Sequence, residues 1–144
     1  MNKSLIIIAV LLGIFTIWYY IRNPLTATVT INNTTYNVDV AVTPREKELG
    51  LGGRKSLPQN KGMLFGHDHK EQFSYWMKGM NFPIDIIWIR DNQIVDISHS
   101  VPVVTGSYFP SYQPRESVNK VLEINAGEAK LRGFVIGDLV HISD

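Results

Sequence analysis

Apolar and polar residues follow two different rhythms along this chain. From Leu5 to Ile21 there are 17 consecutive positions without a charge, and Thr16 is the main polar break in the middle. At ~1.5 Å per residue such a run just reaches the thickness of bilayer hydrocarbon. Lys3 precedes it and Arg22 follows it, while Trp18, Tyr19 and Tyr20 crowd its far end, where amphipathic rings favour a membrane interface. The pattern predicts an N-terminal transmembrane helix over residues 1–22 that serves as an uncleaved signal-anchor. Leu25-Thr26-Ala27 offers a small residue at −1 of a cleavage site but a leucine at −3. The amine and Lys3 before the span, against Arg22 after it, place the domain outside the cytoplasm. Asn23 and Pro24 end the helix, residues 23–26 form a linker, and residues 27–144 form the domain.

From Thr26 the period becomes two. Ala27, Val29 and Ile31 alternate with polar neighbours; after Asn33-Thr34 the apolar set is Tyr36, Val38, Val40 and Val42. This predicts a hairpin with one buried face. Thr43, Pro44 and Glu46 then form a capping box with proline at the first helical position. That predicts a short helix over Pro44–Leu51, with Leu49 and Leu51 as the candidates for its inward face. Further strands are expected at Met63–Phe65, Phe73–Met77, Pro83–Arg90, Ile94–Ser98, Lys120–Asn125, Phe134–Ile136 and Leu139–Ile142. His67–Gln72 reads as a polar loop. Ser100–Asn119, with three prolines, reads as a long loop of the kind that is usually functional. Many short strands and one short helix predict a mostly β domain, a small antiparallel barrel or sandwich.

Composition narrows the function classes. With Lys3 and Arg22 set aside, 12 basic side chains balance 13 acidic ones. There is no electrostatic footprint for nucleic acid. The absence of cysteine excludes disulfides, thiolate catalysis and thiolate metal sites.

Two charges stand in the most apolar stretch of the domain, Phe73 to Ile89. In the strand beginning at Pro83, Ile84, Ile86 and Trp88 share one face, and Asp85, Ile87 and Ile89 the other. A strand apolar on both faces is covered on both sides, so Asp85 is expected to be buried and to need a partner. Lys78 is the nearest candidate cation. Arg54 is the second, and its planar guanidinium suits a carboxylate better. The bland reading makes Asp85 a tether that fixes a turn. The functional reading makes Lys78, Arg54 and Asp85 the polar groups of a pocket beside Trp76 and the methionines Met63 and Met77.

Four separated blocks, "TPREKELGLGGRKSLPQNKGMLF", "YWMKGMNFPIDIIWI", "VLEINAG" and "GDLVHI", closely resemble the prokaryotic Domain of Unknown Function 192 family (uncharacterised protein family 0127). The resemblance spans roughly Val38 to Ile142. Its signature falls here on Thr43, Glu46, Gly50, Leu51, Arg54 and Leu57, on Gly62 to Phe65, on Trp76 to Lys78, and on Pro83, Asp85, Glu123, Gly127, Gly137 and Asp138. Members often carry a cysteine pair in the long loop, which this chain lacks. The resemblance implies a small β-rich fold, commonly exported or membrane-anchored, with no established activity.

Other constellations are weaker. His67, His69 and Glu71 share a phase if extended, but a solvated loop is the plainer reading, and neither a metal nor a cofactor is expected. Glu123, between Leu122 and Ile124, reads as a strand-face charge. Tyr108, Phe109 and Tyr112 are contacts of the long loop, either with a partner or with the domain itself. The favoured function is a membrane-anchored extracytoplasmic β domain, held in the bilayer through residues 5–21. It binds a small ligand, envelope polymer or protein segment at Arg54, Met63, Trp76, Met77, Lys78, Asp85 and Glu123. The alternatives are an envelope hydrolase using Asp85 and Glu123 and a structural partner module at the membrane.

Overall fold

The computed structural model describes residues 3–22 and 24–143, with side chains in the first helix described for residues 3–16. The rings of Trp18, Tyr19 and Tyr20, and Asn23, lie outside the described residues. Helix α1 (Lys3–Arg22) leads into β1 (Thr26–Ile31) and β2 (Thr34–Ala41), then α2 (Pro44–Leu49). Next come β3 (Lys61–Glu71), β4 (Ile84–Arg90), β5 (Gln93–Val101) and β6 (Val118–Asn125), followed by α3 (Glu128–Leu131) and β7 (Val140–Ser143). Among the described residues no helix is long and apolar enough to cross a membrane.

The strands form one sheet in the order β5-β4-β6-β3-β2-β1-β7. Every neighbouring pair is antiparallel except β2 and β3, which run parallel with Val38 beside Gly62 and Val40 beside Leu64. The sheet is thus mostly antiparallel, as expected, and the one parallel pair arises where the α2 segment carries the chain across, which such a pair requires. The sheet curls until its ends meet. Gln93 bridges Leu139, and the Gly137 amide donates to the Ile94 carbonyl at 2.8 Å. The result is a nearly closed barrel, so its edge strands are largely paired.

Alternation sorts the core into two layers. The inner face carries Val29, Ile31, Tyr36, Val38, Leu64, Ile87, Ile89, Leu122 and Ile124, with Ala129 of α3 and Phe134 plugging the barrel. The outer face carries Met63, Phe65, Ile84, Ile86, Trp88 and Val121, covered by Leu51, Leu57, Met77 and Met80 from the connecting segments. Fully burying each such aliphatic side chain contributes about 1.5–3 kcal/mol. Both layers meet at β4, which is why that strand reads as apolar on both sides.

The hairpin forms as expected, with Asn32 at φ 52° in its turn. So does the capping box: the Thr43 hydroxyl accepts from the Glu46 amide at 3.2 Å, and the Glu46 carboxylate accepts from the Thr43 amide at 2.8 Å. Those backbone donors, Thr43 first and then Val42, hold the Glu46 carboxyl below its usual range.

Several expectations are corrected. The α2 helix stops at Leu49, because Gly50 leaves helical space at φ 51°, ψ −134°. Leu49 is 61% exposed, and Leu51 makes the inward contact instead. Val42 is exposed and Ala41 buried, because β2 ends at Ala41. His67–Gln72 is mostly strand, the far half of β3. Phe73–Met77 makes only a single bridge, Tyr75 to Tyr112. Phe134–Ile136 is not a strand; the chain turns there from α3, with the Phe134 amide bonded to the Ala129 carbonyl at 2.8 Å.

Candidate functional site

Asp85 is fully buried, as its strand's pattern implies, but no cation answers it. Its Oδ1 accepts from the Ser100 amide at 2.7 Å and from the Gly127 amide at 3.0 Å. Its Oδ2 accepts from the Ala129 amide at 2.8 Å. Ser100 (φ 47°) and Gly127 (φ 83°) both adopt positive φ to aim those amides inward. Three charge-assisted bonds satisfy the carboxylate without a counter-ion, and they pin α3 and the end of β5 to the inside of the barrel. Asp85 is thus a tether of α3 and the end of β5 rather than of the Gly79–Phe82 turn, with backbone amides in the place expected for Lys78 or Arg54.

Those two cations are engaged elsewhere. Arg54 pairs with Asp39 at 2.8 Å. The Lys78 ammonium stands 5.8 Å from the centre of the Trp76 ring, a cation–π distance. Trp76 itself is 49% exposed.

Glu123 behaves differently. The β6 register sets it beside Met63 of β3 and Ile86 of β4, and because Leu122 and Ile124 face inward it points to the outer layer. Asp85, paired with Ile124 in the same register, points inward, so the two carboxylates lie on opposite faces of the sheet. That geometry removes the hydrolase pairing, in which both would flank one bond. Glu123 is only 5% exposed, and its Oε2 has no hydrogen-bond partner. Burial pushes its carboxyl up to about 8, with Arg54 pulling weakly the other way. That shift favours the neutral acid at neutral pH.

A cavity of about 310 Å³ opens above it, walled by Phe65, Phe73, Tyr75, Trp76 and Met80, with Lys47, Lys78 and His67 around it. The walls are ordered by ring contacts. Tyr75 meets Phe65 edge-on at 5.2 Å and Trp88 at 5.4 Å. His67 stacks on Phe73 at 3.6 Å and bonds the Tyr75 hydroxyl at 3.0 Å. Burial first, then Lys47, lowers the His67 pKa, which favours the neutral ring. Burial, with Glu123 adding to it, holds the Tyr75 phenol above its usual range. Gly50 keeps the way to the acid open: a β-carbon there would stand 3.4 Å from Phe65 Cζ and 3.8 Å from Glu123 Oε2. The long loop is strapped alongside, with Gln72 donating to the Pro114 and Arg115 carbonyls at 3.0 Å and Arg115 donating its amide to Asp96 at 3.0 Å.

Of the residues singled out from sequence, the structure brings Trp76, Lys78 and Glu123 to this cavity. Arg54 and Met63 line a neighbouring one of about 250 Å³ with Asp39 and Gly50. Met77 is fully buried in the outer core, and Asp85 is on the other side of the sheet. Sequence reasoning missed Gly50, Phe65, Phe73 and Tyr75 as walls. The signal was present in the odd-numbered aromatics from Phe65 to Tyr75, which share the phase of Met63. His69 pairs with Glu71 at 3.0 Å rather than with His67, and among the described residues no group of three His, Asp or Glu could hold a metal ion. Tyr112 packs back onto Tyr75, while Tyr108 is exposed.

A family model described as DUF192, Uncharacterized ACR, matches residues 27–142. No curated protein matches. Among solved structures, one of a candidate transcription regulator from Sinorhizobium meliloti 1021 is similar with a TM-score of 0.76 and 28% identity, covering 83% of this chain and 95% of that one. A second, of a protein of unknown function from Novosphingobium aromaticivorans DSM 12444, has a TM-score of 0.71 and 26% identity, covering 81% of this chain and 84% of that one.

Proposed function

The chain belongs to the DUF192 family, and from that premise we propose that its domain binds a small ligand in the cavity above Glu123. The observation that carries this reading is the acid at the cavity floor, buried with an unpartnered Oε2. An unsatisfied polar group of this kind costs about 1–3 kcal/mol, a cost that a ligand supplying a hydrogen bond would remove. The aromatic walls and the volume match small-molecule sites, which run ~300–1,000 Å³ with few convergent polar groups. The domain is held at a membrane by α1 and lies outside the cytoplasm. The apolar run of residues 5–21 supports this reading, as does the exposure of large apolar side chains from Leu5 to Phe15 along one helix.

A fragment screen followed by NMR tests the site. Fragments that bind should shift the Trp76 indole and Tyr75 ring signals in the wild type and lose affinity in Glu123→Leu. If no fragment perturbs those rings, the cavity is not a binding site.

A second reading, a module that docks on another protein, is favoured by one observation. Leu131, Val135, Ile136 and Leu139 are all more than half exposed within one connecting segment. A cavity that binds nothing would leave this surface as the better account.

A further inference from the structure

The Glu123 chamber does not end at its rim. A second hollow of about 350 Å³ adjoins it and shares Glu48, Leu49 and Lys78 with it. The two form one trough with unlike ends. The inner end is apolar and aromatic, with the unpartnered acid at its floor. Lys78 stands where the two hollows meet, with Lys47 on the inner one, Arg45 on the outer one and the single acid Glu48 shared between them. Among the described residues none of these three cations takes part in an ion pair, whereas Arg54, Arg90, Arg115 and Arg132 each do. Unpaired cations around a concave, low-dielectric wall focus a positive potential on its mouth.

We infer that the ligand is an amphipathic anion. Its apolar body lies along Phe65, Tyr75 and Trp76, its leading end presents a hydrogen-bond acceptor to the Glu123 carboxyl, and its trailing carboxylate or phosphate rests on Lys78 at the junction, flanked by Lys47 on one side and Arg45 on the other. An organic cation would meet aromatic faces in the chamber, but it would also meet the like charges of Lys47 and Lys78, whose ammonium already stands 5.8 Å from the centre of the Trp76 ring. The inference rests on reading the cavity as a ligand site and adds to it the sign of the ligand's charge and the direction in which it lies.

The test uses the full chain in nanodiscs of neutral phosphatidylcholine, at pH 6.5 and low salt, with calorimetry as the readout. Four matched probes share one body with a nitrile acceptor at its leading end: 4-(4-cyanophenyl)butyrate, 4-(4-cyanophenyl)butyl phosphate, 4-(4-cyanophenyl)butanol and 4-(4-cyanophenyl)butylamine. Both anions should bind at least tenfold tighter than the alcohol, and the amine most weakly. In a Lys47→Gln, Lys78→Gln double variant the ratio of anion to alcohol affinity should fall toward one, and added salt should do the same in the wild type. An amine that equals or exceeds the carboxylate would overturn the inference, as would an anion preference that survives loss of both lysines. Binding of the alcohol with no gain for the anions would remove the charge assignment and leave the cavity reading intact. Failure of all four probes to bind would remove both.

Discussion

Asp85 and Glu123 sit on neighbouring strands, one register step apart across the β4–β6 pair. Both are buried. Asp85 faces the inside of the barrel and accepts three backbone amides. Glu123 faces the outer layer, has an unpartnered Oε2 and looks into an open cavity. Burial is common to the two and therefore distinguishes nothing. What separates a structural acid from a candidate functional one is whether its hydrogen-bonding capacity is used up. By that criterion Asp85 holds the fold together, and Glu123 is held by the fold at a cost.

The contrast predicts opposite signs. Asp85→Ala would leave three backbone amides without their acceptor, that of Ala129 fully buried, and release α3, and should cost about 3–5 kcal/mol in urea or thermal unfolding. A loss below about 1 kcal/mol would mean that the three bonds do not tether the barrel.

The dependence on pH comes next in size. The folded-state pKa of Glu123 is raised to about 8 from a reference value of 4.5, so the folded form keeps a proton that the unfolded chain releases. Its contribution to stability therefore falls as pH rises through that window and levels off above it. A few kcal/mol should be lost from wild type across this range, and Glu123→Gln should abolish that part of the slope. Parallel curves for the two proteins would contradict the assignment.

Glu123→Leu should stabilise the domain by about 1–3 kcal/mol at pH 7.5, since it replaces an unsatisfied acid by an apolar side chain, while abolishing ligand binding. Gly50→Ala forces a side chain into a backbone conformation at φ 51°, costing about 1–2 kcal/mol, and narrows the approach to Glu123. Arg54→Ala removes a partly exposed ion pair with Asp39 and should cost less than about 1 kcal/mol. A larger loss would restore Arg54 to a structural role comparable with that of Asp85.

Much of the fold was legible because alternation has a physical cause that sequence displays. The β1–β2 hairpin and the capping box at Thr43 are local, and both appear as read. The burial of Asp85 followed from apolar residues on both faces of β4. Its partners did not, because backbone amides of residues 100, 127 and 129 leave no mark in side-chain identity and are brought together only by the curl of the sheet. Glu123 looked like an exposed strand charge for a related reason. Its face is covered by the segments around Leu51, Met77 and Met80, which have no period to announce that they fold back. Four-residue α3 is too short for a helical period to emerge. Lys78 and Trp76 line one cavity, but beside Glu123 rather than beside Asp85.

The most direct test is a pH titration of the Glu123 side-chain carboxyl by carbon-13 NMR, with Glu123→Gln to assign the resonance. The account predicts an acid still largely protonated at pH 7, with a midpoint near 8 that shifts when a ligand enters the cavity. A midpoint near the ordinary glutamate value, about 4.3, and indifferent to ligand would show a solvated carboxylate and contradict it.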